Sequence, residues 1–252
     1  MALALATTSP GEPEIFASLQ GEGPSIGRPS VFVRLSRCNL ACTWCDTAYT
    51  WRFAGDNRPH RDDVAFERTA NQVMLPEDEV AAKIAALFAP NAPPWLVITG
   101  GEPLLQAAAL ARTAGALRDA LPAVHIEIET NGTVAPHRPL DALVDQYNVS
   151  PKLAHSGNPA ELALIPERLS DWAANTRAFF KFVVAEQSDL AEIAALQQRY
   201  AIPSDRLYVM PEGTQSPTLR ERSCWLAEAA QDNGWRFTDR LHIHLGADID
   251  SR

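Results

Sequence analysis

Three cysteines stand close together at Cys38, Cys42 and Cys45, directly after an apolar, β-branched run. Such clustering is typical of a metal or cluster site, because disulfides between near neighbours would be strained. The spacing C-x3-C-x2-C supplies three thiolates, which can bind three irons of a four-iron cube. The fourth iron then lacks a protein ligand and can bind a small molecule, as a reactive site requires. The spacing therefore predicts an iron–sulfur cluster with one open coordination position.

Zinc is the alternative that the cysteine spacing leaves open. A structural zinc site needs four ligands, so Cys224 or a histidine would have to complete the set. Cys224 lies in an Ala/Leu/Trp helical segment, which favours a small apolar residue over a ligand. His242 and His244 form an H-x-H pattern on a predicted strand, where both would share a face. Such a pair can bind metal, but a pair that lines the barrel or lies at its edge is the favoured interpretation.

Four further motifs follow predicted strands. They are Thr99-Gly100-Gly101-Glu102-Pro103, Glu129-Thr130-Asn131-Gly132, Ser150-Pro151-Lys152 and Met210-Pro211-Glu212-Gly213. The two glycines allow the backbone to approach a ligand closely, and a carboxylate at Glu102 can accept hydrogen bonds from an ammonium group. Taken alone, G-G-E-P is also an ordinary turn. Because parallel α/β barrels place their active sites at the carboxyl ends of their strands, we expect the four motifs to meet at one site.

Apolar, β-branched runs alternate with helical patterns along most of the chain. This cadence predicts βα units and a parallel sheet, hence an α/β fold. The predicted strands are Val31–Leu35, Trp95–Thr99, His125–Thr130, Tyr147–Ser150, Phe179–Val184, Leu207–Met210 and Leu241–Leu245. The predicted helices are Pro76–Phe88, Leu105–Leu121, Leu140–Asp145, Ser188–Tyr200 and Pro217–Asn233.

The chain ends and one polar stretch do not follow that cadence. Residues 1–12 are predicted to be a flexible N-terminal tail, and residues 13–252 a single core domain. The polar stretch at about 54–75 is long for a plain connection. It is predicted to be an insertion within that domain, either family-specific or a lid.

Composition and charge bound the classes of function. The 252 residues are 46% apolar and carry a formal net charge of −9. An acidic surface repels phosphates, so no nucleic-acid partner is expected. No apolar run reaches the roughly 18 residues that span a bilayer, and the N-terminus lacks the basic start of a signal peptide. We therefore expect a cytoplasmic protein with no membrane partner.

The motifs together resemble the radical S-adenosylmethionine superfamily, whose signature is C-x3-C-x-aromatic-C followed by G-G-E-P. Trp44 supplies the aromatic residue. Three segments narrow the resemblance: Glu14–Gly23 is E-I-F-A-S-L-Q-G-E-G, Gly27–Pro29 is G-R-P, and Cys45–Thr47 is C-D-T. These segments are similar to those of the 7-carboxy-7-deazaguanine synthase family.

The resemblance implies a fold and a reaction. The fold is an abridged, partial parallel (β/α) barrel, usually in a homodimer. Members convert 6-carboxy-5,6,7,8-tetrahydropterin to 7-carboxy-7-deazaguanine with loss of ammonia, a step on the route to queuosine and other 7-deazapurines. These carbon–nitrogen lyases need a [4Fe–4S] cluster, S-adenosyl-L-methionine and Mg²⁺, with a flavodoxin- or ferredoxin-like electron donor. The cofactors carry the radical chemistry, while the protein orients the pterin and excludes side reactions.

The same resemblance assigns roles to single residues. The three cysteines hold the cluster, and the Thr47 hydroxyl is the Mg²⁺ ligand, in keeping with the oxygen preference of that ion. Arg34 is expected to pair with the substrate carboxylate through its planar guanidinium. The other substrate contacts are Leu19, Gln20, Gly21 and Thr99. The expected S-adenosylmethionine contacts are Trp44, Gly101, Glu102, Glu129, Ser150, Pro151, Lys152, Met210, Pro211, Glu212 and Gly213.

Two other functions stay open at the level of the sequence. A glycyl-radical activase shares the cysteine motif and G-G-E-P but acts on a protein partner, whereas the L-Q-G-E-G segment and Arg34 favour a small anionic substrate. A redox-inert zinc-binding module is the second alternative. Colour after anaerobic purification separates an iron–sulfur enzyme from a zinc-binding module, because an iron cluster is brown and zinc is colourless.

Overall fold

The structure is a computed structural model that describes residues 2–246. Met1 and residues 247–252, the last part of the predicted core domain, lie outside the described residues. The strands are β1 (Ala2–Ser9), β2 (Glu12–Pro13), β3 (Ile15–Leu19), β4 (Pro29–Leu35), β5 (Gln72–Pro76), β6 (Trp95–Gly100), β7 (His125–Thr130), β8 (Gln146–Val149), β9 (Ala178–Val184), β10 (Leu207–Pro211) and β11 (Arg236–Phe237).

Helices fill most gaps between the strands. They are α1 (Arg68–Asn71), α2 (Glu77–Ala85), α3 (Ala107–Ala120), α4 (Arg138–Asp141), α5 (Ala160–Ala163), α6 (Pro166–Ala174), α7 (Asp189–Tyr200), α8 (Ser216–Asn233) and α9 (Leu241–His244). Short 3₁₀ turns lie at Gly23–Ser25, Ala48–Thr50, Pro103–Gln106, Ala154–Ser156 and Ser204–Arg206. No helix within residues 2–246 has the length and apolar character that crossing a membrane requires.

All the strands belong to one sheet. Its path is β11-β10-β9-β8-β7-β6-β4-β1-β2, with β3 paired to β4 and β5 paired to β1. Every neighbouring pair from β4 to β11 along this path is parallel, whereas β1, β2, β3 and β5 pair antiparallel. Among the described residues, the end strands β2 and β11 do not pair with each other, so the sheet does not close. This topology confirms the predicted abridged parallel (β/α) barrel.

Helix α2 shows how the sequence builds the outer layer of the barrel. Its first turn carries Glu77, Asp78 and Glu79, where negative charge complements the helix dipole. One stripe of the helix is buried, through Val80, Ala81 and Ile84. The helices predicted from such stripes at α2, α3, α7 and α8, and the first six predicted strands, are confirmed within three residues at each end. The predicted helix Leu140–Asp145 is instead the single turn α4.

The predicted N-terminal tail is wrong. Residues Ala2–Ser9 form β1, in which Leu3, Ala4, Leu5 and Ala6 are fully buried. This strand pairs with both β4 and β5, and Glu12–Pro13 pairs with it as β2. The reason is physical: β4 and β5 pair with the two edges of this apolar run, and successive side chains, which point to opposite faces of the sheet, are all buried.

The predicted insertion is shorter than expected. Its last part, Gln72–Pro76, is β5 and pairs with β1 over five residues, so it belongs to the sheet. Helix α1 leads directly into that strand. Only residues 54–67 are irregular, apart from a bridge between Phe53 and Phe66 at their borders.

The predicted strand Leu241–Leu245 is wrong as well. The segment forms the helical turn α9, in which Leu245 N–H donates to the Leu241 carbonyl at 3.1 Å. The Leu241 N–H donates instead to the Gly21 carbonyl at 2.9 Å, which joins the start of the turn to the segment after β3. The alternation of histidine with apolar residues has the period of a strand, but within residues 2–246 no strand pairs with this segment. His242 and His244 therefore do not share a strand face.

Candidate active site

One large cavity opens at the carboxyl ends of the parallel strands, with a volume of about 630 Å³. The cluster loop after β4, the ends of β6, β7, β8 and β10 and the segment after β3 line it. Of the residues predicted for the site, all except Glu102 and Pro151 line this cavity. Those brought together are Leu19, Gln20, Gly21, Arg34, Cys38, Cys42, Trp44, Cys45, Thr47, Thr99, Gly101, Glu129, Ser150, Lys152, Met210, Pro211, Glu212 and Gly213.

The cluster loop presents three free cysteines to the cavity. Cys42 is buried, and Cys38 and Cys45 are half-buried. Burial raises the pKa of the Cys38 thiol to about 12 and also raises the pKa of Cys42. Thiolates in such surroundings need positive ions beside them, so binding iron releases the thiol protons.

Two amide side chains direct N–H groups at these sulfurs. Asn158 Nδ2 lies 3.3 Å from Cys42 Sγ, and Asn131 Nδ2 lies 3.9 Å from Cys38 Sγ. Asn131 belongs to the E-T-N-G motif after β7, and Asn158 follows the S-P-K motif after β8. Donors that point at a ligating sulfur stabilise its negative charge. The two motifs thus support the cluster loop as well as the cavity wall.

Cys45 is held from the outer side of the loop. Trp51 Nε1 donates to Cys45 Sγ at 3.4 Å, and the Thr47 hydroxyl lies 3.8 Å from the same sulfur. His60 Nε2, from the irregular segment, lies 2.8 Å from the Cys45 carbonyl oxygen. Residues 54–67 therefore pack against the cluster loop from outside.

The donor set favours a cluster over zinc. Within residues 2–246, no three His, Cys, Asp or Glu side chains converge closely enough to hold a single metal ion. A mononuclear zinc site would require such convergence, since zinc–sulfur bonds are about 2.3 Å long. A four-iron cube binds each thiolate at a different iron, so its ligands stand apart. Cys224, the possible fourth zinc ligand, is exposed on α8 and does not line the cavity.

The double glycine of G-G-E-P is required by the cluster loop itself. A Cβ on Gly100, where φ is +130°, would lie 2.1 Å from the Leu35 carbonyl oxygen. A Cβ on Gly101 would lie 2.1 Å from the Arg37 carbonyl oxygen. The same backbones are hydrogen-bonded: Gly101 N–H donates to Leu35 at 3.0 Å, and Glu102 N–H donates to Arg37 at 2.8 Å. The turn is thereby clamped to the residue that precedes Cys38.

Glu102 lies behind the cavity wall. Its side chain accepts hydrogen bonds from Leu104 N–H at 3.0 Å, Thr130 Oγ1 at 2.8 Å and Asn131 N–H at 2.7 Å. The residue is fully buried, and burial raises the pKa of its carboxyl. In this structure Glu102 ties the G-G-E-P turn to the E-T-N-G motif, and its contact with an ammonium group stays a prediction.

The S-P-K motif places one cation in the cavity. Lys152 Nζ donates to Ser150 Oγ at 2.8 Å and lies 5.6 Å from the centre of the Trp44 ring. Ser150 and Lys152 line the cavity, whereas Pro151 is buried beneath it. An ammonium group fixed in this way can pair with a carboxylate of a bound ligand.

Arg34 lines the cavity next to Thr99, its register partner on β6. Its Nε donates to the buried Glu14 carboxylate at 2.6 Å. Glu14 also accepts a hydrogen bond from the Tyr49 hydroxyl at 2.9 Å. The guanidinium predicted to bind the substrate carboxylate is therefore oriented by a second residue that the sequence did not single out.

The L-Q-G segment after β3 is fixed by polar contacts. Gln20 Nε2 donates to Glu127 at 2.8 Å and to Glu129 at 3.2 Å. A Cβ on Gly21 would lie 2.0 Å from His242 Nδ1, so only glycine lets α9 pack here. The side chain of Gln20 is thus held by two carboxylates within the protein, while Leu19, Gln20 and Gly21 all line the cavity.

Sequence reasoning missed an ion-pair network across the cavity. Lys181 on β9 lies 2.6 Å from Glu22 and 2.8 Å from Glu129, and Arg240 lies 3.0 Å from Glu22 and 2.8 Å from Asp46. Burial alone would lower the pKa of Lys181, but the two carboxylates outweigh burial and raise it. Conversely, Lys181 and Arg240 outweigh burial at Glu22 and lower the pKa of its carboxyl. The one sequence signal was a lysine within the otherwise apolar run of β9.

Glu127 is a second buried carboxyl beside this network. Burial first, and the charge of Glu129 second, raise the pKa of the Glu127 carboxyl. Its oxygens accept from Asn148 Nδ2 at 2.5 Å and from Trp95 Nε1 at 3.0 Å. Lys181 pairs with Glu22 and Glu129, and among the described residues it does not pair with Glu127.

Comparisons with known proteins agree with this geometry. A family model described as the radical SAM superfamily matches residues 33–154. A 7-carboxy-7-deazaguanine synthase from Pyrobaculum aerophilum is 39% identical over 231 residues, which cover 91% of each chain. One from Halobacterium salinarum is 35% identical, covering 93% of this chain and 90% of the relative. The crystal structure of QueE from Escherichia coli has a TM-score of 0.64 and 24% identity, covers 96% of this chain and 95% of its own, and supports the fold. The chain therefore belongs to the 7-carboxy-7-deazaguanine synthase family of the radical S-adenosylmethionine superfamily.

Proposed function

We propose that this chain is a 7-carboxy-7-deazaguanine synthase. It is a radical S-adenosylmethionine lyase that converts 6-carboxy-5,6,7,8-tetrahydropterin to 7-carboxy-7-deazaguanine with loss of ammonia, a step towards queuosine. The observation that carries the proposal is the single cavity in which the three cysteines, the S-P-K and M-P-E-G motifs and Arg34 meet. The names of its relatives support the same reaction.

The cluster and S-adenosylmethionine fit the residues present. Three cysteines at the cavity wall, with N–H donors at their sulfurs, are a donor set for a cluster with one open iron. When bound, these cofactors supply the one-electron chemistry that removes a hydrogen atom from the pterin. Lys152 and Ser150 are assigned to the amino-acid end of S-adenosylmethionine, since that end carries a carboxylate.

The chain's own residues orient the pterin. Arg34 binds the substrate carboxylate, and Glu14 holds the guanidinium in place through Nε at 2.6 Å. Thr99 lies beside Arg34 on the neighbouring strand, and the segment 19–21, which lines the same cavity, supplies the other contacts to the pterin.

Magnesium, the electron donor and the assembly belong to the same proposal. The Thr47 hydroxyl lines the cavity and is assigned to Mg²⁺, which keeps several waters and takes further oxygens from the substrate. The neighbouring Asp46 forms ion pairs with Arg61 at 2.9 Å and with Arg240 at 2.8 Å, so Asp46 is not proposed as a ligand of Mg²⁺. A flavodoxin- or ferredoxin-like protein supplies the electron, and the enzyme acts as a homodimer.

An anaerobic assay tests the proposal. The purified, cluster-loaded protein is incubated with the carboxy-tetrahydropterin, S-adenosylmethionine, Mg²⁺ and dithionite, and the 7-carboxy-7-deazaguanine formed is measured. Product without any protein substrate supports the synthase and excludes an activase. Cleavage of S-adenosylmethionine without any pterin product would overturn the proposal. A matched reaction with a chelator in place of Mg²⁺ tests the metal separately, because unchanged activity there would remove Mg²⁺ and Thr47 from the site.

A further inference from the structure

A second cavity opens on the outer side of the cluster loop. Its volume is about 420 Å³, and it is lined by Trp51, Phe53, residues 54–57 and Arg68. Trp51 is shared by both cavities and is 4% exposed. Its Nε1 donates to Cys45 Sγ at 3.4 Å. One side chain therefore separates this outer recess from a cysteine of the cluster site.

Arg68 lines the recess, Arg58 contacts a residue of its lining, and Arg37 lies further along β5. Arg58 stacks over the Trp51 ring at 4.7 Å, and Arg68 stacks over the Phe53 ring at 4.1 Å. The third, Arg37, is exposed and directly precedes Cys38. We call Arg37, Arg58 and Arg68 the arginine rim.

The rim is continuous along β5. Arg37 Nη2 lies 3.9 Å from Met74 Sδ, and Arg68 Nη1 lies 3.5 Å from Gln72 Oε1. Gln72 Nε2 in turn donates to Ser36 Oγ at 2.9 Å, next to Arg37 in the chain. Met74 is 49% exposed, so the rim surrounds an apolar contact as well as charge.

Two of the three rim charges are uncompensated. Arg58 pairs with Asp56 at 2.6 Å, but neither Arg37 nor Arg68 forms an ion pair with any residue in the part of the chain that the structure describes. Glu67 precedes Arg68 in the chain and does not pair with it. Exposed cations that form no ion pair within residues 2–246, on a chain of net charge −9, are a local positive feature against an acidic background.

The backbone conformation of Arg37 is a second reason to look for a role of its side chain. Its φ is +79°, in the left-handed region that favours glycine. The backbone needs that conformation, because Arg37 N–H donates to Thr50 at 2.7 Å and its carbonyl accepts from Glu102 at 2.8 Å. The Arg37 side chain takes no part in those bonds, and it forms no ion pair with any residue between 2 and 246. A charged residue held where glycine would be relaxed indicates a use outside the fold.

We propose that the recess with its arginine rim is the docking face for a small acidic protein that carries a one-electron redox group. The inference rests on the proposed function, because a cluster enzyme needs an electron from outside. The carrier is oxidised by one electron and the cluster is reduced by one, with no bond made or broken. Positive charge around a small apolar centre matches the weak, steered encounters of electron carriers.

Binding of purified flavodoxin to the cluster-loaded enzyme tests the docking face. The variants are Arg37→Gly, Arg68→Glu and the two combined, with Arg199→Glu on α7 as the matched control for an exposed arginine. We expect the double variant to bind flavodoxin at least about tenfold more weakly, and wild-type affinity to fall as salt rises. Arg37→Gly also relaxes the backbone, so its thermal midpoint should not drop, which separates lost charge from lost folding.

Two reductants separate this inference from the proposed function. Dithionite needs no docking face, so Arg68→Glu, which lies outside the cluster loop, should cleave S-adenosylmethionine with it at the wild-type rate while its flavodoxin-driven rate falls. Arg37 belongs to the cluster loop, so for Arg37→Gly and the double variant the expected result is a lower ratio of the flavodoxin-driven rate to the dithionite-driven rate. Equal flavodoxin binding by wild type and double variant, or equal weakening in Arg199→Glu, would overturn the docking face. Absence of pterin turnover in the wild type with dithionite would instead overturn the proposed function.

Discussion

At the scale of single residues, Arg34 has two partners to satisfy. One edge of its guanidinium contacts Glu14, 1% exposed, and the side chain also borders the cavity. A planar guanidinium has five N–H donors in a fixed fork, so it can bind Glu14 and still offer donors to a second carboxylate. Lysine has the same charge but no such fork, and it could not keep both contacts in one geometry.

Replacing Arg34 should therefore weaken the pterin specifically. A charge-assisted hydrogen bond to a desolvated carboxylate contributes roughly 1.5–3 kcal/mol, which is about a 10- to 150-fold effect. We expect Arg34→Ala to raise the Michaelis constant for the pterin by one to two orders of magnitude, and Arg34→Lys to recover part of the loss. Steady-state kinetics, with S-adenosylmethionine titrated into each variant as the control, measure this. Unchanged pterin kinetics in Arg34→Ala would remove Arg34 from the site.

The cysteines make a second prediction at this scale. Changing Cys38, Cys42 or Cys45 to alanine should abolish the cluster and all cleavage of S-adenosylmethionine. Cys224 is exposed on α8 and serves as the matched control, so Cys224→Ala should retain both. Iron content after anaerobic reconstitution is the measurement. A full complement of iron in any one of the first three variants would contradict the ligand assignment.

The residues of this site could be predicted from sequence where they belong to a motif, and not elsewhere. The cysteines, Lys152 and the M-P-E-G turn were found because spacing and order along the chain are visible without a structure. Glu14 lies within the E-I-F segment, but nothing local says that it contacts Arg34, twenty residues away. Lys181 and Arg240 carry no motif at all, since their partners come from distant parts of the chain.

At the scale of elements, the G-G-E-P turn and the cluster loop are a single packed unit. We expect Gly101→Ala to displace the loop, because its Cβ would meet the Arg37 carbonyl at 2.1 Å. Overpacking of this kind costs typically 1–3 kcal/mol. Gly115→Ala on α3 is the matched control, since a Cβ there meets nothing within 4 Å. Iron content and the free energy of unfolding report the result, and normal values for both in Gly101→Ala would show that the contact is not limiting.

Strand β1 allows a test of the corrected N-terminus. Leu5 is fully buried on this strand, so Leu5→Ala should lower the free energy of unfolding by about 2–5 kcal/mol. Leu162 is 54% exposed, and Leu162→Ala should change it by less than about 0.5 kcal/mol. Urea unfolding of both variants gives the comparison. Equal, small effects would mean that residues 2–9 behave as the tail that the sequence suggested.

Helices and strands could be predicted where the hydrophobic pattern of a segment agrees with its length and with the elements that pack beside it. Six of the parallel strands, β4 and β6 to β10, were found because each is an apolar run and helical patterns fill most of the gaps between them, whereas the two-residue strand β11 was missed. The run at Ala2–Ala6 was missed because position at the terminus outweighed its apolar character, although β4 and β5 supply neighbours on both sides. The segment Leu241–Leu245 was assigned wrongly because period-two alternation cannot distinguish a strand from one helical turn when no partner strand is known.

At the scale of the whole molecule, a network of ion pairs connects distant segments of the open barrel. Lys181 on β9 contacts Glu129 on β7 and Glu22 after β3, and Arg240 links Glu22 to Asp46 in the cluster loop. These contacts join segments from both ends of the chain around one cavity. Breaking a buried pair by removing one partner is costly, because the remaining charge stays buried without compensation.

Lys181→Met should accordingly destabilise the protein by about 3–5 kcal/mol, since Glu22 and Glu129 lose a shared partner. The loss should depend on pH. The lowered pKa of Glu22 contributes stability that is fully present above its ordinary value of 4.5 and disappears as pH falls below that value. The free energy of unfolding of the wild type should therefore fall steeply in acid. That of Lys181→Met should fall less, because the ion pair between Lys181 and Glu22 is already missing.

The control is Lys83→Met, which removes an exposed lysine from an (i, i+4) pair with Glu79 and should stay within about 0.5 kcal/mol of wild type. Urea unfolding from neutral to acid pH compares the three proteins, and parallel stability profiles for wild type and Lys181→Met would show that the network does not hold the barrel together.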